Sequence, residues 1–323
     1  MSETSVGIVV IGRNEGARLE RCLASVADLG LPCVYVDSGS TDGSIAAARR
    51  AGALVVELDL TIPFTAARAR NAGFAALKSA HPGVAFVQFV DGDCELAAGW
   101  IEAARTFLVA HPDVAIVCGR RRERFPEQSL YNRMCDIEWN TPIGEAQACG
   151  GDCLARTEAF AAVGGFRATL IAGEEPDLCR RLRNAGWRIW RLDHEMTLHD
   201  AAILTFGQWW RRSVRAGHAF AEVSSLHPER DFPWHRNVKS ALAWSSLMGA
   251  SLIAALWDWR AAVVVLLFPV QIFRIAQRQR VNGKPDYGYG SLILAGKVAE
   301  TVGILKFYVN RLLSKENTLI EYK

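Results

Sequence analysis

Signatures of several protein classes are missing from this sequence of 323 residues. Its eight cysteines form no C-x-x-C pair, and no secretion signal precedes the first apolar run, so we expect reduced thiols in a cytoplasmic compartment. The net charge is only +3, whereas nucleic-acid-binding proteins usually have a concentrated basic face, so we expect no nucleic-acid partner. No uncharged run reaches the roughly 20 residues that cross a bilayer comfortably, so any membrane segment would have to dip, tilt or thin the bilayer.

Half of the residues are hydrophobic, and their spacing indicates an ordered arrangement. Short apolar runs alternate with amphipathic segments, which predicts strands and helices in turn and therefore an α/β sheet. The predicted strands are residues 6–11, 33–36, 54–58 and 84–90, and the predicted helices between them are residues 14–27, 44–51 and 64–79.

Polar clusters follow three of the predicted strands. Asn14 and Glu15 come after the first strand, Asp37 after the second, and Asp91-Gly92-Asp93 after the fourth. Ligands of α/β sheets bind beyond the carboxyl ends of the strands. We therefore expect these side chains to lie at one edge of the sheet.

The aspartates at positions 91 and 93 stand one residue apart in a predicted turn, where their charges repel. A bound divalent cation would remove this repulsion and leave coordination positions for phosphate oxygens. A solvated turn is the alternative interpretation. An EF-hand is excluded because Leu96 stands where that loop needs glycine, and a dehalogenase-type phosphatase would have threonine in place of Glu95.

The composition changes after about residue 205. Two uncharged runs, residues 241–257 and 261–273, have basic residues outside them, and Trp244 and Trp257 lie at or near the ends of the first run. This pattern predicts a membrane hairpin with both ends in the cytoplasm, and a buried helical hairpin is the alternative. The predicted domains are a catalytic domain at residues 1–205, a basic and aromatic interfacial helical segment at 206–239, the apolar hairpin at 240–275, and an amphipathic helix and tail at 276–323.

Six short motifs occur in order along the first 220 residues. They are VVIGRNE at residues 9–15, DSGSTDG at 37–43, ARNAG at 69–73, DGD at 91–93, GGF at 164–166 and GEEPDL at 173–178. Together they closely resemble the family 2 glycosyltransferases, which are inverting enzymes of the GT-A fold. The resemblance covers roughly residues 5–220 and implies a GT-A domain, with a mostly parallel central sheet and helices on both faces.

The resemblance also implies a donor site and a metal ion. The donor-binding residues that it implies are Glu15, Asp37, Asp42, Arg70, Asp91 and Asp93. Asp37 matches the family aspartate that binds the uracil of a UDP-sugar, and Arg70 matches the arginine that lines the nucleotide site. Asp91 and Asp93 match the pair that holds the diphosphate through Mg²⁺ or Mn²⁺, and His199 resembles a third metal ligand.

An inverting transfer needs a base that deprotonates the acceptor hydroxyl while the metal stabilises the leaving diphosphate. The family places this base in a Glu-Asp pair, and the present sequence has Glu174-Glu175. Glu175 stands where the family has aspartate and is the predicted base, with Glu174 and Asp177 as alternatives. A charge cluster at the start of a helix would explain all three carboxylates without catalysis.

Further residues are expected near the acceptor or the diphosphate. The segment Gln208-Trp209-Trp210-Arg211 partly resembles the Gln-x-x-Arg-Trp motif of processive polysaccharide synthases, although Arg212 replaces the last tryptophan. Trp209 and Trp210 could stack on an acceptor sugar or lie at the membrane, and Arg211 could meet a diphosphate. A basic face beside lipid headgroups is the alternative. Gly151 and Asp152 belong to the same expected set.

Zinc is the remaining metal to consider. Cys149 and Cys153 would indicate zinc only together with His194 or His199, and the spacing is poor. We therefore interpret these cysteines as ordinary buried residues. His194 is also the weaker choice for a ligand of the donor metal.

The expected protein is a membrane-associated inverting glycosyltransferase at the cytoplasmic face of the inner membrane. It would move a sugar from a UDP-linked donor to a glycan or lipid-linked acceptor in polysaccharide or cell-envelope synthesis, with membrane lipids as further partners. A nucleotidyltransferase of similar fold is one alternative, but residues 12–15 (GRNE) include the acidic Glu15 where that class has a basic, glycine-rich phosphate loop. A non-catalytic membrane scaffold is the other alternative.

Overall fold

The structure is a computed structural model that describes residues 5–281 and 283–314. In chain order its strands are β1 (Val6–Gly12), β2 (Cys33–Asp37), β3 (Leu54–Glu57), β4 (Phe86–Asp91), β5 (Cys94–Leu96), β6 (Val114–Glu123), β7 (Gly144–Glu145), β8 (Cys153–Arg156), β9 (Arg188–His199), β10 (Arg280–Val281) and β11 (Lys284–Pro285). Its helices are α1 (Ala17–Ala27), α2 (Ser44–Arg50), α3 (Ala66–Ala80), α4 (Trp100–Ala110), α5 (Leu130–Glu138), α6 (Thr157–Ala162), α7 (Glu174–Asn184), α8 (Phe206–Leu226), α9 (Trp234–Trp257), α10 (Leu267–Arg278) and α11 (Tyr287–Leu312), with a 3₁₀ helix at Trp259–Leu266.

The chain divides into two compact units. The first contains residues 1–126 and 135–202, and the second contains residues 127–134 and 203–323. The sequence predicts a boundary after residue 205, close to this division, but it does not predict that residues 127–134 join the second unit. The further boundaries at residues 239 and 275 stay predictions, and the end of the predicted tail, residues 315–323, lies outside the described residues.

A nine-stranded sheet forms the centre of the first unit. Its strand order is β3-β2-β1-β4-β8-β6-β9-β5, and β7 pairs with β9. β1, β2, β3, β4, β6 and β9 run in one direction, whereas β5, β7 and β8 run in the other. The predicted α/β class with a mostly parallel sheet is therefore confirmed.

The central strands are buried on both faces, which explains why their sequences are almost uninterrupted apolar runs. β1 (VGIVVIG) and β4 (FVQFVD) are buried along nearly their whole length. α3 packs on β1 and β2 through Gly73, where a Cβ atom would overlap the side chain of Val9. The glycine therefore lets α3 approach the sheet more closely than any other residue would.

Two residues with left-handed backbone conformation delay the start of the first helix. The sequence predicts this helix from residue 14, but φ is 55° at Asn14 and 53° at Gly16, so α1 begins at Ala17. The side-chain oxygen of Asn14 accepts a hydrogen bond from the backbone amide of Thr41 at 2.7 Å, and the backbone amide of Asn14 donates to Ser40 Oγ at 2.9 Å. These bonds tie the loop after β1 to the loop after β2.

In the second unit, α8 and α11 pack with their backbones in contact. A Cβ atom on Gly217 of α8 would overlap the carbonyl group of Glu300, and one on Gly303 of α11 would overlap that of Val214. α11 differs here from the predicted amphipathic surface helix, because glycines on its buried face let it pack tightly against α8. Glycine has no side chain, so the hydrophobic periodicity of the sequence does not reveal this face.

α9 is the element of the second unit that bears on membrane contact. It spans 24 residues, and within the described part of the chain it alone is long and apolar enough to cross a membrane by length and composition. At 1.5 Å per residue it is about 36 Å long. The second arm of the predicted hairpin is not one helix, because Asp258 caps the 3₁₀ helix by accepting a hydrogen bond from the amide of Arg260, and α10 begins only at Leu267.

Candidate active site

The carboxyl ends of β1, β2 and β4 meet at one edge of the sheet. In the strand register Gly12 of β1 lies opposite Asp37 of β2, and Ile11 lies opposite Asp91 of β4. β2 and β3 extend the sheet on one side of β1, whereas β4 lies on the other, so the strand order reverses at β1. Ligands of α/β sheets bind in the crevice at such a reversal point.

Asp91 is held between two arginines. Arg70 Nη2 of α3 lies 2.6 Å from Asp91 Oδ1, and Arg121 Nη2 of β6 lies 3.1 Å from Asp91 Oδ2. Burial by itself raises the pKa of Asp91, but the two guanidinium groups outweigh it and hold the pKa below its usual value. Arg70 Nη1 also lies 2.7 Å from Glu174 Oε1. The four side chains therefore form a network of two positive and two negative charges.

A fully buried carboxylate, Asp152, supports this network. Its Oδ1 accepts a hydrogen bond from the amide of Asp91 at 3.0 Å, and its Oδ2 accepts from Arg121 Nη2 at 2.6 Å and from Thr197 Oγ1 at 2.9 Å. Both oxygens of Asp152 are thus engaged by the protein. The sequence suggests Asp152 as a contact of the acceptor or diphosphate, whereas its burial gives it the geometry of a residue that positions Asp91 and Arg121.

The sequence does not identify Arg121 or Thr197 as site residues, and from it we expect Gly151 to contact the acceptor or diphosphate. Arg121 lies on β6 and Thr197 on β9, strands that join β4 only through β8, and no motif marks either residue. Gly151 contributes space, because a Cβ atom there would stand 2.8 Å from Arg70 Nη2. A side chain at this position would therefore press against the contact between Arg70 and Asp91.

A second cluster joins Asp93 and His199 where β5 pairs with β9. Cys94 lies opposite His199 in this pairing, and His199 Nε2 lies 3.3 Å from Asp93 Oδ1. The other ring nitrogen, Nδ1, lies 3.7 Å from Glu123 Oε2. Burial by itself lowers the pKa of His199, but the attraction of Asp93 and the nearby carboxylate of Glu123 raise it above its usual value. The sequence gives no signal for Glu123.

The donor atoms of Asp93 and His199 fit a divalent cation of the Mg²⁺ or Mn²⁺ type. A carboxylate oxygen and an imidazole nitrogen face each other, and Asp93, Cys94 and His199 offer ligand atoms within 4.8 Å of one another. Both oxygens of Asp91, by contrast, already contact an arginine. The geometry therefore offers a cation Asp93 and His199 more directly than the pair of aspartates that the sequence predicts.

Arginines neutralise two of the three carboxylates in the first turn of α7. Glu174 pairs with Arg70 across the site. Asp177 is fully buried, with Arg181 Nη2 2.8 Å from its Oδ2 and Arg167 Nε 3.4 Å from its Oδ1. Asp177 is thereby tied to its own helix and to the loop before it.

Glu175 has a different environment. Its Oε1 accepts a hydrogen bond from the amide of Cys149 and lies 3.1 Å from Cys179 Sγ. Burial is the main reason that the pKa of Glu175 is raised, and the hydrogen bond from Cys149 opposes this effect. Cys149 therefore lies beside a second thiol and a carboxylate, and among the described residues no histidine joins it or Cys153 in a metal-binding group.

The carboxylate of Asp37 is oriented by its own strand and turn. Its Oδ1 accepts a hydrogen bond from Tyr35 Oη at 3.0 Å, and its Oδ2 accepts from the amides of Gly39 and Ser40, both at 2.8 Å. Sequence reasoning misses Tyr35, which reads only as a residue of a buried strand. One lone pair of Oδ1 is left by these bonds, since a carboxylate oxygen accepts two.

Asp42 and Glu15 hold the neighbouring loops. Asp42 Oδ2 accepts a hydrogen bond from the amide of Gly16 at 3.0 Å, and its Oδ1 accepts from that of Ser44 at 2.9 Å. A hydrogen bond with the Ser44 side chain is the main cause that lowers the pKa of Asp42. Glu15 Oε2 lies 2.8 Å from Arg18 Nη2. Both carboxylates therefore shape the loops beside β1 and β2.

Three of the predicted acceptor or diphosphate contacts belong to the second unit. Trp209 is 1% exposed, and its ring stacks on that of Tyr131 with centroids 5.9 Å apart. A buried ring cannot stack on a sugar, so the expectation for Trp209 is corrected to a packing role. Trp210 is half-buried and Arg211 is exposed.

His194, the weaker metal candidate, lies near Trp100, with ring centroids 6.1 Å apart. Its Nδ1 is 2.8 Å from the carbonyl oxygen of Glu195. Across the residues that the structure describes, it belongs to no group of metal-binding side chains. This is the environment of an ordinary histidine of strand β9.

Comparisons with known proteins agree with the fold and the motifs. The chain is 27% identical over 262 residues to the pre-mycofactocin glycosyltransferase of Mycobacterium tuberculosis, a match that covers 75% of this chain and 52% of that protein. The chain thus spans about half the length of this relative. It is 26% identical over 282 residues to the succinoglycan biosynthesis protein ExoA of Rhizobium meliloti, and this match covers 82% of each protein.

Solved structures show the same fold. The mannosyltransferase PcManGT of Pyrobaculum calidifontis, in complex with GDP-Man and Mn²⁺, superimposes with a TM-score of 0.64 at 20% identity, covering 93% of this chain and 86% of that one. Residues 1–349 of S. aureus TarS superimpose with a TM-score of 0.52 at 14% identity, covering 96% and 92%. The expected GT-A fold class is thereby confirmed. A family model described as glycosyl transferase family 2 matches residues 7–170, which is half of the 323 residues, so the chain belongs to glycosyl transferase family 2.

Proposed function

We propose that this chain is an inverting glycosyltransferase that moves a sugar from a UDP-linked donor to a hydroxyl group of a glycan or lipid-linked acceptor. The observation that carries the proposal is that three groups lie at one edge of the sheet. The Asp93–His199 pair offers ligands for a cation, and the Arg70–Asp91 pair lies where the strand order reverses. The carboxylates of α7 include one that can accept a proton.

Nucleotide recognition is assigned to the loops after β1 and β2. The remaining lone pair of Asp37 Oδ1 suits the N–H group of a uracil, and Tyr35 and two amides fix the direction of this oxygen. Glu15 and Asp42 hold the surrounding loops. The similarity to a mannosyltransferase described in complex with GDP-Man supports a nucleotide sugar as donor. The nucleobase of that complex is guanine rather than uracil, so the donor screen below includes both UDP- and GDP-sugars.

Asp93 and His199 are the proposed ligands of Mg²⁺ or Mn²⁺. When bound, such a cation neutralises the charge of the leaving diphosphate. Arg70 and Arg121 are already balanced by Asp91, Asp152 and Glu174, so their main part is to orient Asp91. The P. calidifontis mannosyltransferase is described in complex with Mn²⁺, which supports a divalent metal.

Glu175 is the proposed base. Its carboxylate contacts an amide and a thiol, whereas Glu174 and Asp177 face arginines. Its raised pKa makes it a stronger base than an ordinary glutamate. In the reaction, the acceptor oxygen bonds to the anomeric carbon and its proton passes to Glu175. The nucleoside diphosphate leaves with the electron pair of the broken bond, so a single displacement inverts the anomeric centre.

We further propose that the protein works at the cytoplasmic face of the inner membrane, in polysaccharide or cell-envelope synthesis, with membrane lipids as partners. The end of α9 exposes large apolar side chains, with Leu256 86% and Trp257 90% exposed. The relative named for succinoglycan biosynthesis supports a polysaccharide setting. Attachment to the membrane would raise the effective concentration of a lipid-linked acceptor without any tighter contact.

A donor screen tests this function. The full chain is incubated with native membranes and UDP-, GDP- and dTDP-sugars, and free nucleotide is measured. We expect UDP rather than pyrophosphate, and no release after chelation of divalent metal. Glu175→Gln should bind donor normally but turn over at least about a hundredfold more slowly, because an amide cannot accept the proton.

Glu158→Gln is the matched control for this screen, since Glu158 is an exposed glutamate in the first turn of α6. It should keep the wild-type rate. Release of pyrophosphate would assign the chain to nucleotidyl transfer instead. A Glu175→Gln variant as active as the control would remove Glu175 from the mechanism.

A further inference from the structure

Two thiols and a carboxylate converge beneath the loop that precedes β8. Cys149 Sγ lies 3.6 Å from Cys179 Sγ, and Cys179 Sγ lies 3.1 Å from Glu175 Oε1. Glu175 and Cys179 are one turn apart on α7, so their side chains share a face of the helix. All three residues are buried, and their ligand atoms lie within 4.8 Å of one another.

The spacing of these atoms matches a tetrahedral metal site. With Zn–S bonds of about 2.3 Å, two sulfur ligands of one zinc ion stand about 3.8 Å apart. The observed separation of 3.6 Å is close to that value. It is far longer than the roughly 2.05 Å of a disulfide bond. Two other cysteines, Cys118 and Cys153, lie near enough to affect this group electrostatically.

Burial disfavours the ionised form of both thiols. Burial raises the pKa of Cys179 to about 12, and it raises that of Cys149 well above the usual range. Neither thiol is therefore a ready nucleophile at neutral pH. A cation that replaces their protons would supply the positive charge that the buried thiolates otherwise lack.

We propose that Cys149, Glu175 and Cys179 form a binding site for one thiophilic divalent cation of the Zn²⁺ or Cd²⁺ class. Binding forms two metal–sulfur bonds and one metal–oxygen bond, and it releases two thiol protons to solvent. The site is distinct from the pair of Asp93 and His199, because thiolate ligands select soft cations and carboxylate ligands select Mg²⁺ and Mn²⁺.

Occupation of this site has a consequence that rests on the proposed function. Glu175 is the proposed base, and a carboxylate bonded to a cation no longer accepts a proton. A soft cation should therefore stop sugar transfer while leaving donor binding at the other cluster intact. Metal binding itself can be measured without donor or acceptor, so the site and the function are tested separately.

The test is a Cd²⁺ titration of the full chain with Mg²⁺ in excess, which fills sites made of hard ligands. We expect one Cd²⁺ per chain and the ultraviolet charge-transfer band of cadmium thiolates. Cys149→Ser and Cys179→Ser should each weaken binding by more than about tenfold, since loss of an outer-shell partner alone costs that much. Cys33→Ser is the matched control, because Cys33 is a half-buried thiol on β2 outside the cluster, and it should bind as the wild type does.

Three results would overturn the site: no charge-transfer band in the wild-type chain, a band that survives both cluster variants, or a band lost in Cys94→Ser. The last result would place the cation with Asp93, Cys94 and His199 instead. If Cys179→Ser does not fold, the wild-type titration and Cys149→Ser still decide. If Cd²⁺ binds as expected but Glu175→Gln is fully active, the metal site stands and Glu175 is not the base.

Discussion

Asp152 and Asp37 are buried carboxylates whose oxygens are engaged by donors of the protein itself. Removing one partner from such a group leaves a desolvated charge without compensation, which costs far more than the bond contributes. The two residues differ in what they hold. Asp152 fixes Arg121 and the amide of Asp91, whereas Asp37 keeps one lone pair for a ligand. A buried carboxylate can therefore either orient other groups or recognise a ligand.

Asp152→Asn should lower the free energy of unfolding by about 3 kcal/mol, because Arg121 would lose its fully buried carboxylate partner and keep only the half-buried Asp91. Thr197→Val removes a single hydrogen bond to the same oxygen and should cost only about 1 kcal/mol. Urea unfolding of the two variants beside the wild type measures both values. Equal losses would show that the charge of Asp152 contributes nothing beyond its hydrogen bonds.

Asp37→Ala should raise the donor KM and weaken the preference among UDP, GDP and dTDP sugars, because the side chain that reads the base is lost. Tyr35→Phe should raise the UDP-donor KM by only about threefold to tenfold, the effect of one hydrogen bond, since Asp37 keeps its two amide donors. Initial rates over a range of donor concentrations separate KM from kcat. A donor profile that Asp37→Ala leaves unchanged would argue against base recognition by this residue.

Strands and helices differ in how well the sequence predicts them. β1, β2 and β4 are predicted because strands buried on both faces require uninterrupted apolar runs. The sequence does not predict the positions of Arg121 and Thr197, because the pairing of β6 with β9 and β8 joins segments that lie far apart in the chain. The alternation of residues along a strand does not show which strand it pairs with. The sequence does not predict the contact between α8 and α11, because the glycines at this contact do not contribute to a hydrophobic pattern.

This helix contact gives a prediction about glycine. Gly303→Ala should lower the free energy of unfolding by about 1–3 kcal/mol, because the added methyl group would overlap the backbone of Val214 and force the helices apart. Gly249→Ala in α9 is the matched control, because a Cβ atom there meets nothing within 4 Å. The control should be neutral or stabilising by up to about 1 kcal/mol, since alanine favours a helix.

Thermal unfolding of both alanine variants in the same detergent measures the difference. Gly217→Ala repeats the test from the α8 side, where the added atom would meet the backbone of Glu300. If Gly303→Ala and Gly249→Ala unfold at the same temperature, α8 and α11 do not pack as closely in solution as the structure describes.

The whole molecule combines a sheet-centred first unit with a helical second unit that exposes large apolar side chains. Leu252, Ile253 and Leu256 lie on one side of α9 and are 61%, 62% and 86% exposed. Side chains of this size contribute roughly 1.5–3 kcal/mol each when they leave water. Contact with the bilayer would bury them, which is the physical basis for proposing a membrane-attached enzyme.

Three glutamates at these positions should therefore release the protein from membranes. A charged side chain costs about 2.5–3.5 kcal/mol at the centre of an inserted helix, and these positions are exposed, so the fold itself should not depend on them. Leu54→Glu, Leu60→Glu and Ile62→Glu together are the matched control, because they add the same charge to exposed apolar positions of the first unit. Fractionation of cells that express each variant measures the membrane-bound share, which we expect to fall for the α9 variant alone.

The kind of attachment follows from what removes the wild-type chain. A helix held by its basic flanks alone would be released by high salt, because screening weakens attraction to anionic headgroups. A helix whose apolar face is buried in lipid would need detergent, because salt does not weaken the hydrophobic effect. We expect the wild-type chain to resist both salt and alkaline washing. A chain that stays soluble and monodisperse without detergent would make α9 a packing helix, and the exposed side chains would then have to be covered by protein.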